Sequence, residues 1–197
     1  MTCTLKRGLA VAACAVLLAH AVAAGARCRG KDWVGVWATS PSGSVGGVFV
    51  DRSLRLVVNP TLGGSRVRVR FSNRFGSRPV TLGAVTIARR ASGPDLVAGS
   101  VRTLRFGRRR SVTIPPGGEV VSDQRRFAFD TVEDVVLSLH VQGTRGRATA
   151  HVTALQTSYG SPPGSGDHTA EEAGGAFTQA LFTWPFLTDL EVRAPRR

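Results

Sequence analysis

The segment Ser53 to Gly76 reads SLRLVVNPTLGGSRVRVRFSNRFG. Two runs that alternate apolar and polar residues, Leu54 to Val58 and Val67 to Phe71, flank Asn59-Pro60-Thr61-Leu62-Gly63-Gly64, a loop of residues that restrict or free φ in turns. The pattern predicts a β-hairpin. In its second arm Val67, Val69 and Phe71 fall on one face and Arg66, Arg68 and Arg70 on the other, so a core face and a solvent face are expected. An isolated two-stranded unit is marginal in water, so further strands must complete it.

Working outward, the chain supplies them. Trp33 to Thr39 reads as a strand with Trp33, Gly35 and Trp37 on one face. Val48 to Val50 is a short strand, and Val80 to Ala88 is a longer one in which Gly83 marks a bulge or close approach. Strand candidates continue at Leu96-Val97, Val101 to Phe106, Ser111 to Ile114, Glu119 to Ser122 and Arg125 to Phe129. Asp134 to Val141 is the most apolar strand and is expected to be central. Ala148 to Tyr159 reads as the last long strand, before the loop Gly160-Ser161-Pro162-Pro163-Gly164-Ser165-Gly166 and a closing run from Phe177 to Val192. No segment shows sustained helical periodicity with caps. Short strands separated by glycine and proline turns predict an all-β fold, an antiparallel β-sandwich of jelly-roll-like type.

The length of 197 residues suffices for a core without covalent staples. Lys6 and Arg7, the apolar stretch Gly8 to Ala19 and the small residues Ala21-Val22-Ala23 or Ala24-Gly25-Ala26 read as an export signal over residues 1–26. A short basic tail, 27–32, and a single β-sandwich domain, 33–197, come after it. Val11-Ala12-Ala13-Cys14 offers a lipid-anchoring box as the less favoured alternative. The apolar stretch is too short for a transmembrane span. Removing the signal takes Cys3 and Cys14 and leaves Cys28 alone, with no internal disulfide to form.

The formal net charge is +13, and nearly all of it is arginine, because Lys6 and Lys31 are the only lysines. Such a field favours salt-sensitive binding to polyanions. Arg66, Arg68 and Arg70, with Arg55 across the expected hairpin, form a stripe suited to an acidic glycan or another polyanion; the alternative is a solvated face neutralised by nearby acids. Arg108-Arg109-Arg110 reads as a solvated loop. A recognition helix, zinc spacing and interleaved basic and aromatic residues are all missing, which argues against a specific nucleic-acid partner. Trp33 and Trp37 suit either a sugar-stacking platform or the core.

Catalytic motifs are sparse. There is no Gly-x-Ser-x-Gly elbow, phosphate-cradling loop or His-Glu-x-x-His segment. His140, His151 and His168 lack ligand-like spacing, and no cofactor is implied. Asp167 beside His168 invites a catalytic reading with Ser161 or Ser165 as nucleophile, but adjacent loop residues rarely place a carboxylate on Nδ1 while Nε2 faces a hydroxyl. The expected arrangement is a structural Asx-turn with a solvent-facing His168.

Trp33 to Pro41, Leu54 to Val58 and Gly63 to Gly76, then Ser111 to Pro115, Leu155 to Tyr159, Gly166 to Thr169 and Asp189 to Val192, resemble in order the N-terminal region of secreted actinobacterial-type SGNH/GDSL ester hydrolases. The resemblance covers nearly the whole chain after the signal. It implies a β-sandwich that precedes a hydrolase domain, with a catalytic Gly-Asp-Ser block beyond the position of Val192 and an Asp-x-x-His block later. Neither block occurs in this sequence, and Gly166-Asp167-His168 lies too early and lacks the serine. No catalytic residue is therefore carried over. The expectation is a non-catalytic accessory domain, inactive alone, whose partner in the family is the SGNH catalytic domain. A free-standing module binding carbohydrate or a polyanion, and a small hydrolase with an unrecognised site, remain as alternatives. Trp33, Trp37, Arg66, Arg68, Arg70, Asp167, His168 and Trp184 are the candidate ligand or domain contacts.

Overall fold

The computed structural model describes residues 33–145 and 147–193. The export segment 1–26 and the tail 27–32 lie outside the described residues. In chain order the first strands are β1 (Trp33–Ala38), β2 (Gly43–Val45), β3 (Val48–Phe49), β4 (Arg52–Val58), β5 (Gly64–Ser72) and β6 (Val80–Ser92). Next come β7 (Asp95–Leu96), β8 (Arg102–Thr103), β9 (Val112–Ile114), β10 (Glu119–Val121), β11 (Arg125–Phe129) and β12 (Val135–Arg145). The last are β13 (Ala148–His151), β14 (Ser158–Gly160), β15 (Gln179–Leu181), β16 (Trp184–Pro185) and β17 (Leu187–Arg193). No helix occurs among the described residues, and the fold is an all-β sandwich.

One sheet runs β1-β17-β5-β10, with β11 also on β5; the other runs β15-β14-β4-β12-β6, with β7, β8 and β9 on β6 and β3 on β12. A third, small sheet runs β16-β13-β2. The core lies between the two large sheets. Leu54, Leu56 and Val58 from β4 and Leu137 and Leu139 from β12 face Val67, Val69 and Phe71 from β5 and Leu190 from β17. Alternation thus places the expected residues inside, and Val67, Val69 and Phe71 are fully buried. β12 is central, between β4 and β6. Gly83 is a bulge, since His140 aligns with Ala84 and Val141 with Leu82, and a Cβ there would come within 2.7 Å of the Gln142 side chain.

The expected hairpin does not form. β4 pairs with β12 and β14, whereas β5 pairs with β17, β10 and β11. Residues 59–63 therefore carry the chain from one sheet to the other. Their polar groups bond outward: Thr61 N–H donates to Val36 O at 2.8 Å, and Asn59 Nδ2 donates to Asp134 Oδ1 at 3.0 Å. Every residue of β4 is buried, so the strand has a covered face on each side, whereas a hairpin arm with one wet face would not. Ala148 to Tyr159 is likewise not one strand: β13 belongs to the small sheet and β14 to the β4 sheet.

Candidate functional site

The outer face of the β5 sheet carries the predicted arginines. Arg66, Arg68 and Arg70 are half-buried rather than solvated; β17 and β10 bring acids alongside Arg68 and Arg70, whereas Arg66 is opposite Arg126 of β11. Arg68 is opposite Glu191 in register and makes a two-pronged ion pair with it, Nε to Oε2 and Nη2 to Oε1, the latter at 3.0 Å. Its guanidinium also lies 4.7 Å from the centroid of the Trp33 ring. The hydrogen bond to Glu191 raises the Arg68 pKa further. Arg70 lies 3.8 Å from Glu119. Arg55, expected to extend this stripe, is in the other sheet.

Asp189 shares this face, opposite Arg70. Its Oδ1 is buried without a hydrogen-bond partner among the described residues. Burial pushes its pKa up, repulsion from Glu191 adds to the effect, and attraction to Arg70 and Arg68 opposes it.

Trp33 and Trp37 do not form one platform. Gly35 aligns with Glu191 but Trp37 with Leu190, so Val36 is an extra residue in β1. A bulge reverses the parity of the strand residues beyond it. Trp33 stays on the outer face with Arg68, while Trp37 packs against the core. Trp37 meets Trp184 edge to face at 5.0 Å. Trp184 stacks obliquely on His151 at 5.7 Å and donates from Nε1 to Val57 O at 2.9 Å. Trp37 and Trp184 of this three-ring cluster pack against the core.

Asp167 and His168 lie on a strap, residues 161–177, that covers the outer face of the β4 sheet. Asp167 Oδ1 accepts from Thr169 N–H at 2.9 Å and from Thr169 Oγ1 at 2.6 Å, the expected Asx-type turn. His168 is half-buried, in contrast to the solvent-facing expectation. Its Nδ1 lies 2.7 Å from Glu171 Oε1, its backbone N–H donates to Ser53 Oγ at 2.9 Å, and its ring meets Phe177 edge to face. Ser161 Oγ accepts from Ser53 N–H at 2.9 Å and lies 2.6 Å from Ser165 Oγ. The hydroxyls weighed above as nucleophiles thus bond to the strand beneath and to each other.

The buried setting of Arg55 is what sequence reasoning missed. The residue is fully buried under the strap, where it donates to the carbonyl oxygens of Pro94 and Glu171 and, at 3.4 Å, of Ala173. Its guanidinium sits 4.0 Å from the centroid of the Phe177 ring. Burial pulls its pKa down to about 10, against the attraction of Glu171 and Asp95. The alternation places Arg55 away from the core, but nothing local to it signals that its face is covered.

No group of three or more histidine, cysteine or acidic side chains could hold a metal among the described residues. No helix among them is long and apolar enough to cross a membrane. No family model matches the chain, and no curated protein matches it.

Proposed function

We propose that this chain is a non-catalytic accessory β-sandwich of a secreted SGNH/GDSL-type ester hydrolase, a scaffold against which a catalytic domain carrying the Gly-Asp-Ser and Asp-x-x-His blocks docks. The family part of this reading rests on the ordered set of motifs from Trp33 to Val192. The non-catalytic part is carried by one observation: His168 Nδ1 has a carboxylate partner in Glu171, but the Ser161 and Ser165 hydroxyls bond to β4 and to each other and neither bonds to His168. Acyl transfer needs a hydroxyl activated by a positioned base and donors aimed at the developing oxyanion. Here the Ser161 and Ser165 hydroxyls serve to tie the strap to β4.

The apolar surface near the chain's closing segment fits a docked domain. Phe182 is 61% exposed and Leu155 97% exposed, and the hydrogen bond from Ala154 N–H to Phe182 O at 2.8 Å holds their two segments together. Phe186 does not contribute, since it is buried in the core against Phe49.

The test is the purified chain with a chromogenic acetate ester, beside Ser161→Ala, Ser165→Ala and His168→Ala variants. Background turnover in all four is expected. Turnover that survives purification and is abolished by His168→Ala would overturn the reading. A second arm adds an SGNH catalytic domain: co-migration on size exclusion, weakened by Phe182→Ser with Leu155→Ser, is expected, and no association with any such domain would count against the docking.

A further inference from the structure

Arg68 and Arg70 of the arginine stripe are neutralised by Glu191 and Glu119, but a second group of arginines is neutralised only at one member, Arg89. Where β11 of one sheet approaches the β6 and β8 edge of the other, a cleft of about 630 Å³ is lined by Arg89, Arg102, Arg125 and Arg126, with Gly99 and Phe127 among its remaining walls. No acidic side chain among the described residues lines it. Arg89 has a partner outside the lining, Glu133 at 3.5 Å, and Arg102 donates to the carbonyl oxygens of Gly99 and Val101, each at 2.8 Å. The nearby Glu172 is occupied with the Gly99 N–H at 2.6 Å. Arg125 and Arg126 are exposed and have no ion pair among the described residues.

Register adds an independent observation. Arg126 is directly opposite Arg66 in the antiparallel pairing of β11 with β5. Like charges directly opposite on adjacent strands destabilise a sheet, and no carboxylate pairs with either side chain among the described residues. The positive charge of the cleft thus continues onto the outer sheet face through Arg66. By contrast, the arginine-rich turn after Phe106 already holds an internal anion, because Asp123 accepts from the N–H groups of Gly107 and Arg108 at 3.0 and 2.8 Å.

We propose that this cleft binds an acidic oligosaccharide, a sugar chain carrying carboxylate or sulfate groups, with Arg125 and Arg102 contacting the oxyanions in the cleft and Arg126 at its rim, beside Arg66, extending the track onto the outer sheet face. Guanidinium groups present paired N–H donors matched to such oxyanions. Gly99 and Ala128 at the wall add no bulky side chain beside the charges. A nucleic acid is disfavoured because the one aromatic residue of the lining, Phe127, is 4% exposed and offers no face on which a base can stack. The proposal does not depend on the ester-hydrolase reading.

The experiment is titration of the purified chain, at fixed moderate salt, with a short oligogalacturonate, a heparin-derived oligosaccharide, a neutral maltooligosaccharide and a single-stranded thymidine oligonucleotide. At least one acidic sugar should bind, the neutral one should not, and the sugar that binds identifies the preferred oxyanion. Arg125→Gln with Arg126→Gln should weaken that binding at least tenfold. Arg74→Gln with Arg78→Gln, which removes the same charge from exposed positions beyond the other end of β5, should change it less than twofold. Equal losses in both double variants would mean diffuse attraction and overturn the site. Tighter binding of the oligonucleotide than of either acidic sugar, or no binding of either sugar, would also overturn it.

Discussion

The guanidinium of Arg55 lies 4.0 Å from the ring centroid of Phe177, so a residue of the inner strand β4 anchors a strap supplied by a distant part of the chain. Three carbonyl groups and an aromatic face surround the buried charge. Arg55→Met keeps most of the volume but leaves those carbonyls without their donor. Leaving buried polar groups unsatisfied costs roughly 1–3 kcal/mol each, less where water can enter. The variant should lose roughly 2–3 kcal/mol of stability in urea, with the largest gain in amide hydrogen exchange between 161 and 177. Uniform exchange with an intact strap would show that Arg55 does not anchor it.

Gly63 should tolerate no side chain. A Cβ built there would lie 2.5 Å from the carbonyl oxygen of Phe129 and 2.9 Å from the carbonyl carbon of Asp130, both backbone atoms that cannot rotate away. Gly63→Ala should destabilise by about 1–3 kcal/mol, the usual cost of overpacking. Thermal or urea unfolding of that variant beside Gly46→Ala, where the added atom meets nothing within 4 Å, provides the comparison.

The bulge at Val36 separates the two tryptophans of β1 by environment. Trp37 closes the core edge against Trp184, whereas Trp33 lies on the outer face beneath Arg68. Trp37→Ala should cost roughly 2–4 kcal/mol through lost burial and a partly filled cavity, and Trp33→Ala clearly less. If the two sat on one exposed platform, the losses measured by urea unfolding would be alike.

Asp189 should make stability depend on pH. Its pKa in the folded state is raised, first by burial and then by Glu191, so the folded chain binds this proton more tightly than the unfolded chain does. Stability from this group therefore falls as pH rises from the unfolded carboxylate value, about 3.9, through the raised folded value, and the loss is complete above it. Asp189→Asn should remove that fall. Relative to wild type, its stability should improve on going from acid to neutral pH, as read by urea unfolding at several pH values. A variant whose difference from wild type stays constant would place the charge in an unperturbed setting.

The legible parts of this protein were the ones set by local alternation. Val67, Val69 and Phe71 had to share a buried face because β5 exposes them with period two, and Gly83 had to mark an irregularity because it interrupts an apolar run. The Asx-type turn at Asp167 was legible for the same reason: its partner is Thr169, two residues away. The arginine cleft was not, because Arg89, Arg102, Arg125 and Arg126 come from three separate strands and meet only through the packing of two sheets.

By itself the sequence determined an all-β chain with defined core faces, since side-chain parity along a strand depends only on the backbone repeat. It did not determine which strands pair. A hairpin and a sheet-to-sheet crossing at residues 59–63 turn the same core faces of β4 and β5 inward and use the same turn residues; they differ in whether the second face of β4 is covered. The tertiary structure decided between them, because β12 and β14 flank β4 while β17, β10 and β11 pair with β5. The same holds for charge. Arg68 and Arg126 look alike in sequence, yet one faces Glu191 and the other faces Arg66, and only the register between distant strands distinguishes a neutralised arginine from one left available to a ligand.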